Sequence, residues 1–251
     1  MSSASIRLLL STSLLVLCAC ITPARQKQAQ ARADLGAAYL REGNAAAALE
    51  VLQDAVRKDP RNWLAWDHLG LALWAQGDIE GSEKAFQRGL RLAPEKAEIN
   101  NNYGLMLMDQ GRYEEAVERF QQARKDLEYR KPALLLTNLG NAYYHLGRYD
   151  DALEVLDEAI RRTPALCNAH FERAMVYEAL GRLDAALSSY EKSVELCGDV
   201  APGASYQAAR LLLEKGDRQA ACAYLAGILD SVDPGSELYA SASELQASGC
   251  R

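Results

Sequence analysis

Histidine is scarce in this 251-residue chain, and the residues that usually build catalytic or metal sites do not cluster along it. The three histidines, His68, His145 and His170, have no paired spacing of the His-Glu-x-x-His kind. No glycine-rich segment follows a predicted strand, so the sequence also lacks a phosphate-binding loop. We therefore predict a protein that is not an enzyme and that needs neither a metal nor another cofactor.

Positive charge is also scarce. The chain carries 28 lysines and arginines against 34 aspartates and glutamates, a net charge of -6 at pH 7, and no basic stripe interrupts it. Nucleic acid is therefore excluded as a partner, since phosphate binding needs clustered positive charge. β-Branched residues and phenylalanine are few, while alanine, leucine, glutamate and arginine dominate, which favours helix over strand.

Long hydrophobic runs are missing too, and the longest lies at the N-terminus. From Leu8 to Ile21 it has 14 residues, whereas a transmembrane helix needs about 20. One basic residue, Arg7, precedes the run, and the small Ala19 lies near its end, which is the layout of an export signal. We predict a signal peptide over residues 1–19.

The end of this segment, Leu17-Cys18-Ala19-Cys20, resembles the bacterial lipobox. The resemblance implies cleavage before Cys20, a covalent diacylglycerol on its sulfur and an acyl chain on its amine, which together anchor a protein stably in a membrane. Ile21 stands where aspartate would retain a lipoprotein in the inner membrane, so the resemblance implies the outer membrane, facing the periplasm. Residues 20–28 would form a lipidated linker. The alternative is an ordinary secretory signal in which Cys20 is not modified.

Glycine recurs at a nearly fixed interval. Six glycines are spaced 34, 34, 36, 34 and 35 residues apart. Each ends one run of periodic apolar residues and precedes another, as expected of a left-handed residue that follows the last turn of a helix. A helix-turn-helix unit of about 34 residues is therefore repeated six times. The glycines are Gly43, Gly77, Gly111, Gly147, Gly181 and Gly216.

The residues around these glycines resemble the tetratricopeptide repeat (TPR). A large and then a small residue precede the glycine, as at Leu69 and Gly70, and the following helix carries the small Ser82 and the bulky Phe86. The resemblance implies an all-α, right-handed superhelical TPR solenoid. Residues 236–251 should form a C-terminal capping helix, because terminal repeats need a polar outer face. The six repeats are placed at 29–62, 63–96, 97–132, 133–166, 167–201 and 202–235.

Four cysteines follow Cys20, in a compartment where disulfides persist. They allow three connectivities. In the repeat geometry Cys167 begins the first helix of the fifth unit and Cys197 ends its antiparallel second helix, so both lie at one end of the hairpin. Cys222 lies early in the last second helix, and Cys250 follows the capping helix that should run back beside it. We predict disulfides Cys167–Cys197 and Cys222–Cys250; buried free thiols are the alternative.

The concave face of a TPR solenoid is built from positions 2, 5, 9 and 12 of each first helix, and in the first three repeats several of these positions carry large apolar residues. An exposed apolar strip marks an interaction site, and such a groove suits the apolar face of an amphipathic helix. The alternative is that residues 21–28 or tight curvature of the array buries the strip. The predicted partner-binding groove consists of Leu40, Leu64, Leu71, Trp74, Asn101, Leu105 and Met108.

Two segments of the third repeat, Asn-Asn-Tyr-Gly at 101–104 and Arg-Tyr-Glu-Glu-Ala at 112–116, resemble the PilF/PilW/Tgl family of type IV pilus pilotins. The insertion at 127–129 and the segment 234–239 resemble it too, and the length and late cysteines are nearest its myxobacterial branch, Tgl. The resemblance implies a lipid-anchored monomer that binds an amphipathic segment of the secretin subunit of the pilus machine. It implies that the protein promotes secretin localisation and multimer assembly, and hence motility. The alternative is a generic periplasmic adaptor in envelope assembly.

Overall fold

Residues 22–250 are described by a computed structural model, in which they form thirteen α-helices, a 3-10 turn at Gly198–Val200 and no β-strand. The predicted signal peptide and Cys20 lie outside the described residues. Twelve helices form six successive hairpins and the thirteenth packs on the last one, so the all-α TPR fold is confirmed. No helix in the described range is both long enough and apolar enough for a membrane span. The helices are α1 (Pro23–Arg41), α2 (Ala45–Lys58), α3 (Trp63–Ala75), α4 (Ile79–Leu92), α5 (Ala97–Asp109), α6 (Tyr113–Ala123), α7 (Pro132–His145), α8 (Tyr149–Arg162), α9 (Cys167–Ala179), α10 (Leu183–Cys197), α11 (Pro202–Glu214), α12 (Arg218–Ser231) and α13 (Glu237–Gly249).

The turn inside each hairpin is set by the periodic glycine, and Gly77 shows how. Its φ is +79°, a left-handed conformation that a side chain would disfavour. The amide of Gly77 donates to the carbonyl of Trp74 at 2.8 Å, and the amide of Asp78 donates to that of Leu73 at 2.9 Å, which is a Schellman ending. The Asp78 carboxylate then accepts from the amide of Gly81 and begins α4. One glycine and one aspartate thus reverse the chain.

The two helices of a hairpin approach closely because a small residue faces a bulky one. A Cβ added to Gly70 in α3 would lie 2.8 Å from the ring of Phe86 in α4, which is fully buried. The small residue is therefore a packing requirement of the hairpin. The same pairing recurs at Gly36 with Leu52, Gly104 with Phe120, and Gly140 with Leu156.

The apolar core is divided into three clusters along the array. The N-terminal cluster joins α1 to α4, the central cluster joins α4 to α9, and the C-terminal cluster joins α9 to α13. Alanine supplies seven of the thirteen buried residues of the C-terminal cluster but only eight of the twenty-two in the central one. The last two repeats therefore bury less apolar side chain per position than the middle of the array.

The N-terminal end of the array differs from the expectation. A linker was expected over 20–28, but α1 begins at Pro23, so residues 23–28 are helical. The side chain of Thr22 accepts a hydrogen bond from the amide of Arg25 at 3.3 Å, and proline stands in the first turn. Both are strong helix-start signals. The residues of this first turn and a half are exposed, so they lack the apolar periodicity on which the expected boundary was based.

Two disulfides brace the last repeats. Cys167 is joined to Cys197 across the ends of α9 and α10, with their Cα atoms 6.0 Å apart. Cys222 in α12 is joined to Cys250 after α13, with Cα atoms 5.9 Å apart. These are the two pairs that the antiparallel geometry predicted. The predicted capping helix is present as α13, and the side chain of Ser236 caps its first turn.

Candidate functional site

The first helices of successive repeats form a continuous row. α1 contacts α3, and the same holds for α3 with α5, α5 with α7 and α7 with α9. Each second helix packs instead between its own partner and the first helix of the next repeat. Because the first helices contact one another directly, they line the inner, concave side of the array, and the side chains they present there form the candidate site.

The six apolar residues of the predicted groove are all half-buried, and we call them the apolar strip. Leu71, Trp74, Leu105 and Met108 pack against the central cluster, and Leu40 packs against the N-terminal one. Leu64 packs against none of the three described clusters. The strip is therefore neither fully exposed, as predicted, nor buried, as in the alternative. One side of each of the five packed residues supports the core, while the other remains open on the concave face.

Trp74 is oriented by a hydrogen bond between repeats. Its indole Nε1 donates to Oδ2 of Asp109, the last residue of α5, at 3.0 Å. Because the ring also packs against the central cluster, it is held in one position before any partner arrives. Such preorganisation lowers the entropy cost of binding.

Asn101 differs from the other predicted groove residues. It is buried, with 8% exposure, and its Oδ1 accepts a hydrogen bond from the amide of Asn138 in α7 at 2.9 Å. A side chain in this position links two repeats and offers no open surface to a partner. The prediction of Asn101 as a groove residue is therefore wrong, since its position in the repeat indicates the concave side but not how closely α7 covers it.

Polar pairs between neighbouring first helices form a second feature of the concave face, which the sequence did not predict. The side-chain amide of Asn102 in α5 donates to both carboxylate oxygens of Asp67 in α3, at 3.1 and 3.0 Å. Further along, the amide of Asn141 in α7 donates to Glu172 in α9 at 2.6 Å. The sequence did carry a signal for these pairs, namely polar residues at positions 5, 6 and 9 of the first helices. Helices that only packed against one another would have apolar residues there.

Asp67 is the most unusual member of these pairs, because it is a carboxylate with only 1% exposure. The pKa of Asp67 is raised to about 7. Burial is the largest cause; the hydrogen bond from Asn102 opposes it, and the nearby Glu98 carboxylate adds to it. Burial likewise raises the pKa of Glu172, which the bond from Asn141 opposes. Two desolvated acids therefore lie within the row of first helices, each hydrogen-bonded to an asparagine of a neighbouring first helix.

A cavity of about 480 Å³ opens beside Asp67, next to Leu64 of the apolar strip. Leu64 and Asp67 of α3, Asn102 of α5, and residues 126 and 128–131 line it. That segment belongs to the longer third repeat and is held in place by Asp126. One Asp126 oxygen accepts from the amide of Ala97 at 3.1 Å and so caps α5; the other accepts from the amide of Glu128 at 3.1 Å.

The three histidines are dispersed in space as well as in sequence. His145 stacks on Tyr113 with ring centroids 4.6 Å apart, and Nε2 of the buried His170 is bonded to the carbonyl of Pro164 at 3.0 Å. His68 lines the cavity, and burial lowers its pKa, so the ring is neutral at pH 7. Within residues 22–250 no three acidic, histidine or cysteine side chains are grouped as a metal site would require. That the protein is not an enzyme stays a prediction.

A family model described as the cilia and flagella-associated protein 70 C-terminal domain matches residues 17–211. Among curated proteins, the type IV pilus assembly protein PilF of Pseudomonas aeruginosa is 30% identical over 139 residues, 55% of this chain and 54% of PilF. A TPR repeat-containing protein of the same bacterium is 42% identical over 62 residues, 25% of this chain and 59% of the relative. The chain thus spans less than two thirds of the length of these curated relatives.

Two solved structures match over nearly their whole lengths. The structure of P. aeruginosa PilF has a TM-score of 0.76 at 25% identity, over 89% of this chain and 99% of that one. The structure of PilW, described as a widely conserved type IV pilus biogenesis factor, has a TM-score of 0.77 at 25% identity, over 85% and 97% of the two chains. The matched lengths show that the likeness extends through the whole array, beyond a few shared repeats.

Proposed function

Because the chain belongs to the repeat family described as the cilia and flagella-associated protein 70 C-terminal domain, we propose that it acts by binding a segment of another protein on its concave face, without catalysis. The observation that supports this proposal is the apolar strip, whose residues are half-buried and lie on the concave face beside the polar pairs that link the repeats. An apolar surface of this kind suits an amphipathic segment, whose other face stays in water.

The similarity to PilF and PilW supports a more specific role in type IV pilus biogenesis. In this proposal the protein is an outer-membrane pilotin: the lipids on Cys20 anchor it, facing the periplasm, and the strip binds the secretin subunit of the pilus machine. The length and the late cysteines favour the Tgl branch of the family.

A physical sequence of events follows from this arrangement. The strip covers the apolar face of a secretin segment that is destined for the membrane, which keeps that face from aggregating in the periplasm. Once the pair reaches the outer membrane, insertion of the segment into lipid competes with the strip, because both remove the same apolar area from water. Release of the protein then leaves the secretin free to assemble into multimers.

Leu64→Glu tests the strip with the least damage to the fold, since Leu64 packs against none of the three core clusters. We expect it to abolish secretin multimers, measured by immunoblot of outer membranes from a deletion strain that carries the variant. Leu127→Glu is the matched control, because Leu127 is 96% exposed and lies outside the strip. Both variants should keep wild-type helix content by circular dichroism. Normal multimers in the Leu64→Glu strain would exclude the strip as the binding surface.

Two further variants test the anchor. Cys20→Ser should leave the protein in the soluble fraction and remove the lipid mass from its N-terminal peptide in mass spectrometry. Ile21→Asp should move the protein from the outer to the inner membrane in a sucrose gradient. An unmodified Cys20 peptide from the wild type would instead favour an ordinary secretory signal.

Co-purification separates the pilotin from a generic periplasmic adaptor. After cross-linking in whole cells, the pilotin proposal expects the secretin as the main partner of the wild type and its loss from the Leu64→Glu variant. Recovery of other envelope proteins in its place, with pili still present on the deletion strain, would favour the adaptor.

A further inference from the structure

The two edges of the array carry opposite charge. Because each hairpin returns the chain to the side on which it began, the first helices start and the second helices end at one edge, which we call the repeat edge. The glycine turns lie at the other, the turn edge. From α1 to the start of α9, the repeat edge holds thirteen lysines and arginines and only four acids, whereas the first four turns hold three and eight. The repeat-edge segments are 22–27, 57–62, 91–96, 124–131 and 161–166; the turn segments are 41–46, 75–80, 109–115 and 145–151.

The fold creates this basic surface, which is not visible as a stripe along the sequence because most of a repeat separates one segment from the next. Nη2 of Arg25 donates to the carbonyl of Arg57 at 3.2 Å, so the start of α1 lies against the end of α2. Nζ of Lys96 lies 3.7 Å from a carboxylate oxygen of Asp126 in the next segment. The first helices also contact one another in order, from α1 to α9. The repeat edge is therefore one continuous surface.

Helix dipoles account for only part of its charge. Basic residues in the last turn of a second helix, such as Arg57 in α2 and Arg162 in α8, stabilise the negative end of the dipole. The start of a first helix is the positive end, where a basic residue is unfavourable. Arg61 nevertheless lies two residues before α3, and Lys131 occupies the N-cap of α7. Neither helix has an acid in its first turn, so these charges serve something other than helix stability.

The basic residues at the helix starts are accessible. Arg61, Arg130 and Lys131 are exposed, and among residues 22–250 none of them forms an ion pair. Arg25 and Lys27, in the first turns of α1, are exposed and unpaired with acids in the same sense. Their charges are therefore open to an anion outside the protein.

The position of the N-terminus indicates which anion. Thr22 caps α1 at the repeat edge, and Cys20, which carries the lipid in the proposed function, precedes it by two residues. Two residues span at most about 7 Å, so the anchor would hold the repeat edge at the lipid headgroups. In the proposed periplasmic location these headgroups, rather than nucleic acid, supply phosphate. An acidic protein surface could pair with the same charges, but the attachment of the chain itself brings only the lipid to this edge.

Resting on the proposed lipid anchor, we propose that the repeat edge from α1 to the start of α9 is a second membrane-contact surface, which binds the phosphate groups of anionic phospholipids. A basic patch beside a lipid chain adds to membrane affinity. The contact also fixes the orientation of the array, because the membrane attracts the repeat edge and repels the acidic turn edge. The concave face then opens parallel to the membrane.

Co-sedimentation with vesicles tests this surface without the anchor. The protein is the mature chain with Cys20→Ser, and the vesicles contain phosphatidylcholine alone or with an equal part of phosphatidylglycerol. We expect binding to the anionic vesicles only, and we expect it to weaken at least tenfold between about 20 and about 200 mM NaCl, because salt screens exposed charges. Such a salt-sensitive contact agrees with the soluble fraction expected for Cys20→Ser in cells. Equal binding to both kinds of vesicle, or binding to neither, would overturn the proposal.

Arg61→Glu/Lys131→Glu reverses two exposed charges of the repeat edge and should weaken binding to the anionic vesicles at least tenfold. Arg41→Glu/Arg182→Glu is the matched control: it changes the net charge equally, at exposed positions of the turn edge that form no ion pair within residues 22–250, and should bind as the parent does. Both variants should keep the parent's helix content by circular dichroism. Equal weakening in the two would show an effect of net charge alone and refute the assignment to this edge.

A second copy of the chain is the competing occupant, since its acidic turn edge could pair with the repeat edge. Salt-sensitive self-association in sedimentation velocity without vesicles, together with no vesicle binding, would favour that pairing and reject the lipid contact.

This proposal and the proposed anchor fail separately. A lipidated Cys20 in the wild type, with no vesicle binding by the Cys20→Ser chain, would retain the anchor and reject the contact surface. Vesicle binding that depends on Arg61 and Lys131, with an unmodified Cys20, would retain the surface and reject the anchor. The Leu127→Glu control for the strip lies on this edge but keeps the anchor and all thirteen basic residues, so secretin assembly should persist in it.

Discussion

The two disulfides should determine the stability of one end of the array and leave the rest unaffected. They close loops with sequence separations of 30 and 28 residues. In the chain-entropy model, loops of this length restrict the unfolded state by roughly 3.6 kcal/mol each at 25 °C. The C-terminal cluster, more than half alanine, has less buried apolar area with which to replace that contribution.

Repeat arrays are stabilised mainly by contacts between neighbours, so the loss should stay local. We expect the Cys222→Ser/Cys250→Ser double variant to expose the amides of α11 to α13 to hydrogen exchange several hundredfold faster, which is what about 3.6 kcal/mol corresponds to. The helices from α4 to α8 should keep their protection, because neither bridge closes a loop within them.

Hydrogen exchange followed by mass spectrometry measures both regions in one experiment. The Cys167→Ser/Cys197→Ser variant provides the comparison, with faster exchange expected first in α9 and α10. Two results would refute the reasoning: wild-type protection of α11 to α13 without the bridge, or equal loss of protection in every repeat. Thiol labelling of the unfolded wild-type protein checks the premise, since free cysteines would be labelled without reductant.

Three further predictions concern packing and pH. Gly70→Ala should lower the free energy of unfolding by about 1–3 kcal/mol through overlap with Phe86, whereas Gly227→Ala in α12, with nothing within 4 Å, should raise it by about 0.5–1 kcal/mol in the same urea titrations. Asn101→Ala should lower the free energy of unfolding by about 1–2 kcal/mol in the same titrations, because the side-chain amide of Asn138 loses its acceptor. Because Asp67 keeps its proton in the folded state up to a pKa of about 7, against 3.8 for the unfolded chain, wild-type stability should fall as pH rises through this window. Asp67→Asn should flatten that profile and be the more stable protein at pH 8 by a few kcal/mol, with no gain at pH 4.

The parts of the structure that follow from local chemistry could be predicted from the sequence. Gly77 and Asp78 specify a turn by themselves, and Gly70 facing Phe86 is a pairing of sizes that the repeat spacing makes visible. The disulfide pairs followed because antiparallel helices bring the ends of a hairpin together. The start of α1 could not be predicted from apolar periodicity, since residues 23–28 are exposed, although Thr22 and Pro23 carry the signal of a cap.

The site was harder to predict than the fold, because burial depends on the neighbouring repeat. Position 5 of the first helix holds Asp67 in one repeat and Asn101 in the next, and both are buried, with 1% and 8% exposure. Asn101 is covered by α7 and bonded to Asn138, while Asp67 lies beside a cavity that the longer third repeat creates. A position in a repeat indicates the direction of a side chain, whereas its accessibility is set by the repeat that follows.

If the strip binds a partner segment as proposed, its half-buried state limits the apolar area that the segment can cover. A fully exposed strip would bind tightly but would promote aggregation of the free protein, and a fully buried one would bind nothing. Here Trp74 and Leu71 already give part of their surface to the central cluster, so a partner gains only the remaining area. In the proposed complex the affinity is therefore limited by that remaining apolar area. A limited apolar contact of this kind would suit the proposed transfer of a secretin segment from the strip to the outer membrane.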